Sequence, residues 1–305
     1  MKPKIVVVGS ANTDMVVKVE QLPKPGETVL GGRFFSVQGG KGANQAVAAA
    51  RLGADVTFVA RLGQDAFGQA AARTYQAENI NVDYLVWDDA APSGVALILI
   101  DANGENSIAV APGANGQLSP QDVQAAEESI RQADVVLIQL EIPLETVKAA
   151  AQLAKRHRIR VILNPAPAAA LSADLYALVD VLTPNETEAA ILAQGNPADP
   201  LDLVQQLYTI SDVPTIIMTL GGRGAMLFQD RRATIIPSHH VKPVDTVAAG
   251  DAFNGALAVA VGRGDALADA IRFANTVGAI SVTRSGAQPS LPTSDEVAAF
   301  LGGQL

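Results

Sequence analysis

The sequence predicts an α/β fold: a doubly wound, mainly parallel sheet flanked by helices, with a small β-sheet lid inserted into it. Aliphatic runs without alternation, bounded by Gly or Pro, recur along the chain and suit strands covered on both faces. Helical patterns lie between them, as a parallel sheet requires. Aromatic residues are only 4% of the 305 residues while Ala, Val, Ile and Leu abound, the mix of small-residue helices packed on aliphatic strands.

The strand-like runs are "KIVVVG" (4–9), "DVTFVARLG" (55–63), "ADVVLIQL" (133–140), "IRVILNPAP" (159–167), "DVLTPNE" (180–186) and "VPTIIMTLGG" (213–222). The helical patterns run Lys41 to Leu52, Asp65 to Glu78, Ser119 to Gln132, Pro143 to His157, Asn185 to Ala193 and Pro200 to Tyr208. Two regions break the rhythm. Residues 14–38 hold Pro-Gly and Gly-Gly turns between short strand-like pieces, and residues 93–111 read as a hairpin around "ANGEN". Together they form a second sheet, naturally used as a lid over the ends of the parallel strands. In the last third, residues 224–237 read as a hairpin, followed by helices at 250–262 and 265–283. No internal repeat or long linker divides the chain.

A formal charge of -9 argues against nucleic-acid binding and against an anionic-membrane anchor, both of which need a positive face. Cysteine is absent, which excludes disulfides, thiolate chemistry and Cys-ligated zinc. The apolar run in "MKPKIVVVGS" is too short for a signal peptide, and nothing approaches the roughly 20 apolar residues of a membrane span. A cytoplasmic location is expected.

The glycine motifs fit no nucleotide-binding template. "GSANTD" is not G-x-G-x-x-G, "GGKGAN" lacks the Ser or Thr that follows a P-loop lysine, and "GGRGAM" fails both. "GGKGANQAVAAARLG" reads as a tight strand-to-helix connection or as a ligand site. Gly39, Gly40 and Gly42 permit close backbone approach, the helix start offers N–H groups, and Lys41 and Asn44 add donors suited to hydroxyls.

Asn12 and Asp14, two apart in an extended segment, share a face and can grip vicinal hydroxyls, or form an Asx-turn. Glu141 falls at another strand end, where open α/β sheets bind ligands, or is a solvated loop acid. Asn185 and Glu188, three apart at a helix start, match both a capping box and a metal-phosphate site. His157, His239 and His240 have no metal-ligand spacing and read as surface residues.

In "DTVAAGDAFNGALAVA" (245–260) the small residues Ala248, Ala249 and Gly250 feed an apolar helix and would expose successive N–H groups as an anion hole. Asp251 is either the helix N-cap, worth about 0.5–2 kcal/mol, or a base beside that hole. Phosphoryl transfer to an alcohol needs both a base and donors for the transferred charge.

"GGKGANQAVAAARLGA" and "DTVAAGDAFNGAL" resemble the two signature regions of the PfkB carbohydrate kinase family. "GSANTD", "PKPGET", "PGAN", "NPAP", "TPNETE" and "TLGGRG" are similar to those of its members that phosphorylate free ribose, in order over essentially the whole chain. The resemblance implies a core of residues 1–13, 39–92 and 112–305 that binds nucleotide and sugar, and a lid of residues 14–38 and 93–111 that also forms a homodimer contact. It implies ATP-dependent phosphorylation of the O5 hydroxyl of D-ribose, with Asp251 as general base and the backbone of Ala248, Ala249 and Gly250 as anion hole. The sugar would be held by Asn12, Asp14, Gly40, Lys41, Asn44, Glu141 and Asp251. ATP would be held by Asn185, Thr219, Gly221, Gly224, Gly250 and Asn275, with Asn185 and Glu188 around Mg2+ and phosphate. A K+ site would involve Asp245, Val247, Ser281, Arg284, Gly286 and Ser290, mostly through carbonyl oxygens. Charge repulsion of ATP would be offset by Lys41, Arg223 or metal ions. A relative acting on deoxyribose, fructose or a nucleoside would share the core and differ in the sugar grip. A non-catalytic sugar-binding regulator would be expected to lose the base or the anion loop, and both are present.

Overall fold

A computed structural model describes residues 2–195 and 199–303. Its strands are β1 (Lys4–Val8), β2 (Asn12–Lys18), β3 (Arg33–Gly39), β4 (Asp55–Gly63), β5 (Leu85–Asp88), β6 (Gly94–Ile100), β7 (Asn106–Ala111), β8 (Val135–Ile138), β9 (Arg160–Leu163), β10 (Val181–Leu182), β11 (Thr215–Thr219), β12 (Ala225–Gln229) and β13 (Arg232–Ile236). Its helices are α1 (Lys41–Arg51), α2 (Ala66–Ala77), α3 (Pro120–Ala125), α4 (Glu127–Arg131), α5 (Leu144–Arg156), α6 (Ala173–Tyr176), α7 (Glu186–Leu192), α8 (Pro200–Ser211), α9 (Ala249–Gly262), α10 (Leu267–Ser281) and α11 (Ser294–Leu301).

The large sheet has the order β13-β12-β11-β10-β9-β8-β1-β4-β5, parallel from β11 to β5, with the β12–β13 hairpin antiparallel at one edge. Alternation along a strand sends neighbouring side chains to opposite faces. Ile5 and Val7 therefore join a core with α1, α2, α9 and α10, while Val6 and Val8 join a core with α5, α7 and α8. This double burial is why the strands read as unbroken aliphatic runs.

Chain order reverses between β1 and β8, since β4 lies on one side of β1 and β8 on the other. The crevice beyond the carboxyl ends of such strands is where open α/β sheets take ligands. A second, four-stranded sheet, ordered β3-β2-β6-β7, grows from that place because β2 begins four residues after β1 ends. It is mixed: β2 pairs antiparallel with β3 but parallel with β6, which the hairpin reading of 93–111 did not foresee.

Several boundaries differ from expectation for local reasons. The helix expected over 119–132 is broken at Ala126, whose N–H turns to the Val123 carbonyl three residues back and tightens one turn. β10 covers two residues of the expected 180–186 because Pro184 follows and cannot donate to the ladder. β5, α6 and α11 are too short to show a periodicity of their own. Above all, Ala249 and Gly250 already belong to α9, whose N-cap is Ala248 in the left-handed region at φ 60°.

One close crossing fixes the helical layer. A Cβ on Gly255 of α9 would come within 2.6 Å of the Ala48 Cβ and 2.9 Å of the Gln45 carbonyl oxygen on α1, so only hydrogen fits between the two helices. Gly255→Val should therefore overpack this crossing and lower stability by about 1–3 kcal/mol, read as an earlier midpoint in urea unfolding.

Candidate active site

The first turn of α1 builds one wall of the crevice. Gly40, at φ 88°, reverses the chain between β3 and α1 and serves as N-cap, a conformation that costs little only for glycine. The N–H groups at this helix start are already engaged. Lys41 donates its N–H to Glu141 Oε2 at 3.1 Å, Gly42 to Ser10 Oγ at 3.4 Å and Ala43 to the Ser10 carbonyl at 2.8 Å. The Ser10 hydroxyl also donates to Glu141 Oε2. The N–H groups expected here as open donors thus hold Glu141 in place, at the positive end of a helix that suits a carboxylate.

The start of α9 is different. Ala249 donates its N–H to the Thr246 carbonyl at 3.3 Å, and the first intrahelical bond runs from Ala252 to Ala248. The N–H groups of Ala248, Gly250 and Asp251 have no partner among the described residues. Of the Ala248–Ala249–Gly250 set, the Ala249 N–H is thus engaged, and the Asp251 N–H stands open beside those of Ala248 and Gly250. The left-handed Ala248 at this end is strained by about 1–2 kcal/mol.

Asp251 does not cap its helix. It stands at the third helical position, 7% exposed, and its carboxylate accepts from Asn44 Nδ2 (to Oδ2) and Gln45 Nε2 (to Oδ1), each at 2.9 Å. The capping alternative is excluded, because the side chain points to α1 and not back along α9. Asn44 Oδ1 is buried with no protein partner, so an acceptor is left for a hydroxyl.

Asn12 and Asp14 open β2 and are both buried. Asn115, in the turn after β7, donates to Asn12 Oδ1 at 2.7 Å and also accepts from the Ala11 N–H at 2.9 Å, so it locks the β1–β2 junction. Asn12, Asn115 and Glu141 line a cavity of about 360 Å³ with Pro112, Pro167 and Val110.

Four carboxylates act on one another here. Burial first, then Glu141 and Asp251, pushes the Asp14 carboxyl up to about 6, with Lys41 opposing. Burial also raises Asp251, against the pull of Lys41, Asn44 and Gln45 and with a further push from Glu141. Burial raises Glu188 too, and Asp251 adds to it, while the Asn185 N–H and Lys41 hold it down. Burial alone would lower the Lys41 ammonium, but Asp251, Glu141, Glu188 and Asp14 outweigh it and leave it raised.

A second cavity, of about 500 Å³, lies across α9 from this cluster. Of the residues expected around the nucleotide, Thr219, Gly221, Gly224, Gly250 and Asn275 line it, together with Ala249. Asn275 Nδ2 donates to the Ile236 carbonyl at 2.9 Å, which ties α10 to the end of β13. His239 and His240, read as plain surface residues, are exposed but border this cavity, and His239 is held by Thr276 at 2.9 Å. Asn185 lies beside it through a bridge to Thr219, and forms the full capping box with Glu188: its Oδ1 accepts at 2.8 Å and its N–H donates at 2.9 Å. Arg223 is paired with Glu186 at the surface.

The loop pair expected around a monovalent cation is cross-linked by Asp245, which accepts from Val247 at 3.0 Å and Gly286 at 2.9 Å. Ser290 donates to the Ala287 carbonyl, Arg284 pairs with Glu296, and the Ser281 hydroxyl is buried without a partner. Sequence reasoning missed Ser10, Gln45, Asn115, Gln139 and Asn164. Each is a buried polar side chain, and the informative signal, a polar residue inside an otherwise small or aliphatic run, was present in "NQAVAAA" and "LIQLE".

Residues 2–294 match the model of the pfkB family of carbohydrate kinases. The chain is 42% identical over 303 residues to a ribokinase of Haemophilus influenzae, covering 99% of both proteins. It is 39% identical to a deoxyribokinase of Salmonella typhi, covering 97% of this chain and 98% of that one. The structure of Arabidopsis thaliana ribokinase complexed with ribose and ATP superposes with a TM-score of 0.90 at 33% identity, covering 99% of both chains.

The Asp14 environment sets a pH dependence of folding. A carboxyl raised to about 6 in the fold, from an ordinary 3.8, holds a proton that the unfolded chain releases. Its stabilising contribution is complete below about pH 4 and is lost as pH rises through 6. Asp14→Asn should thus raise the unfolding free energy at pH 8 by on the order of 1–3 kcal/mol, a gain that vanishes below about pH 4; urea unfolding at both pH values checks it.

Proposed function

Because the chain belongs to the pfkB family of carbohydrate kinases, we propose that it transfers the γ-phosphoryl group of ATP to the O5 hydroxyl of D-ribose, giving D-ribose 5-phosphate. One observation carries the reading. A buried, raised carboxylate, Asp251, is fixed by two amides directly beside unpartnered N–H groups at the start of α9, between a polar crevice and a nucleotide-sized cavity. Proton acceptance and stabilisation of the transferred charge are thereby combined in one turn of helix.

Asn12, Asp14, Gly40, Lys41, Asn44 and Glu141 hold the sugar, with Asn44 Oδ1 as a free acceptor. Asp251 takes the O5 proton as O5 bonds to the γ-phosphorus, and the bond from that phosphorus to the bridging oxygen of the departing ADP breaks. A pKa raised by burial strengthens Asp251 as a base while its amide donors keep it ionised. The N–H groups of Ala248, Gly250 and Asp251 face the growing charge, and Lys41 supplies the fixed positive charge of the cluster. Thr219, Gly221, Gly224, Gly250 and Asn275 bind the nucleotide.

Mg2+ fits beside Asn185 and Glu188. The half-buried Glu188 has one oxygen free of the capping box, and a cation relieves its raised pKa. No three His, Cys, Asp or Glu side chains among the described residues are placed to hold a metal ion between them, which suits an ion held chiefly by phosphate and water. When bound, it neutralises phosphate charge. K+ fits Asp245, Val247, Ser281, Arg284, Gly286 and Ser290, where the orphaned Ser281 hydroxyl offers a buried oxygen.

Residues 14–38 and 93–111 act as a lid over the core formed by 1–13, 39–92 and 112–305. The face of this sheet opposite Asp14 presents Phe34 and Leu97, each more than half exposed, and pairs with the same face of a second copy. Use of ATP supports a cytoplasmic location.

The similarity to a deoxyribokinase makes 2-deoxyribose the competing substrate. ATP consumption measured with ribose, 2-deoxyribose, fructose and adenosine, in K+ and in Na+, should give the highest kcat/KM with ribose and K+; preference for another acceptor overturns the substrate assignment. Asp251→Asn should lower kcat by roughly 10²–10⁴-fold, and near-normal turnover removes Asp251 as the base. Leu97→Glu should convert a dimer into monomers in sedimentation velocity, and a wild-type protein that already sediments as a monomer refutes the lid contact.

A further inference from the structure

We propose that Gln45 is the positioning residue for the Asp251 carboxylate, and that its amide is held in the one productive orientation by Gln139 and Asn164. The inference rests on Asp251 being the base. Gln45 is wholly buried in α1 and uses three hydrogen bonds. Its Nε2 donates to Asp251 Oδ1 at 2.9 Å and to Asn164 Oδ1 at 3.0 Å, which employs both amide protons. Its Oε1 accepts from Gln139 Nε2, another wholly buried amide, at the end of β8.

The direction of this chain is set by a group that cannot turn. Asn164 Nδ2 donates to the Thr183 backbone carbonyl at 3.1 Å, so its Oδ1 is presented to Gln45. A flipped Gln45 amide would set oxygen against both the Asp251 carboxylate and Asn164 Oδ1, and NH2 against the NH2 of Gln139. Two amides, Asn164 and Gln45, thus relay the orientation of the carbonyl just after β10 to the carboxylate on α9, while Gln139 holds Gln45 from its other side. A parallel branch closes the ring: Thr183 Oγ1 donates to Asn254 Oδ1 at 2.6 Å, and Asn254 Nδ2 donates to the Gly250 carbonyl at 2.8 Å. The first turn of α9 is therefore tied to the same point of the sheet at two places, Asp251 and Gly250.

Asn44 also binds Asp251 but keeps Oδ1 free toward the crevice, whereas no Gln45 atom remains for substrate beyond one lone pair. Gln45 acts on the reaction only through Asp251. The charged groups that face Asp251 are Lys41 on α1, Asp14 on β2, Glu141 after β8 and Glu188 on α7. All are left in place by the test.

Gln45→Met keeps length and removes both donors. Loss of a donor disfavours the ionised carboxylate, so the acidic limb of the kcat/KM profile should move to higher pH. Misplacement of the base should lower kcat by about 100-fold with the KM values for ribose and ATP little changed. Gln139→Met, which leaves Gln45 in place but removes the donor that holds its Oε1, should move the same limb in the same direction with a smaller loss. An unmoved pH limb with kcat within about threefold of wild type overturns the proposal, since a merely structural residue would lower stability and leave the limb where it is. If Gln45→Met does not fold by circular dichroism, the Gln139→Met profile decides by the same criterion. Asp251→Asn is measured beside them: near-normal turnover there refutes the base itself, whereas an inactive Asp251→Asn with an unmoved Gln45→Met profile refutes the positioning alone.

Discussion

The distance between α1 and α9 governs this molecule. At Gly255 the two helices pass with no room for a methyl group, and that approach lets the short amides Asn44 and Gln45 span to Asp251. An extra carbon at the crossing would separate the helices by more than a hydrogen bond can absorb. The apolar character of α9 follows from the same demand. A helix that must hold a buried carboxylate to within a few tenths of an ångström is packed by Ala, Val and Leu on every side but its first turn.

Two helix starts meet in the crevice and are used in opposite ways. α1 is closed, its N–H groups spent on Glu141 and Ser10, and it anchors a carboxylate at the edge of the crevice. α9 is open, with the N–H groups of Ala248, Gly250 and Asp251 unpartnered among the described residues. Around them Asp14, Glu141, Glu188 and Asp251 confront a single lysine, Lys41. Burial first, and the crowding of like charges after it, raises three of these carboxyls and leaves the crevice electrostatically uncomfortable. Hydroxyl donors and cations relieve that discomfort, so affinity for substrate and reduced stability of the free protein share a cause.

Much of this was written in the sequence, and the exceptions have physical reasons. Strands covered on both faces must be aliphatic throughout, so β1, β4, β8, β9 and β11 announced themselves. The two-residue spacing of Asn12 and Asp14 showed their shared direction, because β2 is extended as required. Asp251 was ambiguous between cap and base, since sequence rules place an aspartate before a helix and none places a left-handed alanine there. Ala248 does occupy that place, which moves Asp251 inward by three positions. Gln45, Gln139 and Asn164 were silent because a buried amide has no signature apart from its partners, and those lie 94 to 206 residues away along the chain.

The small sheet is joined to the core at Asn12, whose register partners on either side are Gly39 and Gly94, and Asn115 clamps the adjacent Ala11. Mechanically that junction is a fulcrum. The far end of the sheet, at Lys18 and Ile100, is a lever arm of about 20 Å. A rotation of the sheet would sweep its tip through several ångströms while Asn12 hardly translates. The gearing allows the mouth of the crevice to widen and narrow without unseating the side chains at its floor.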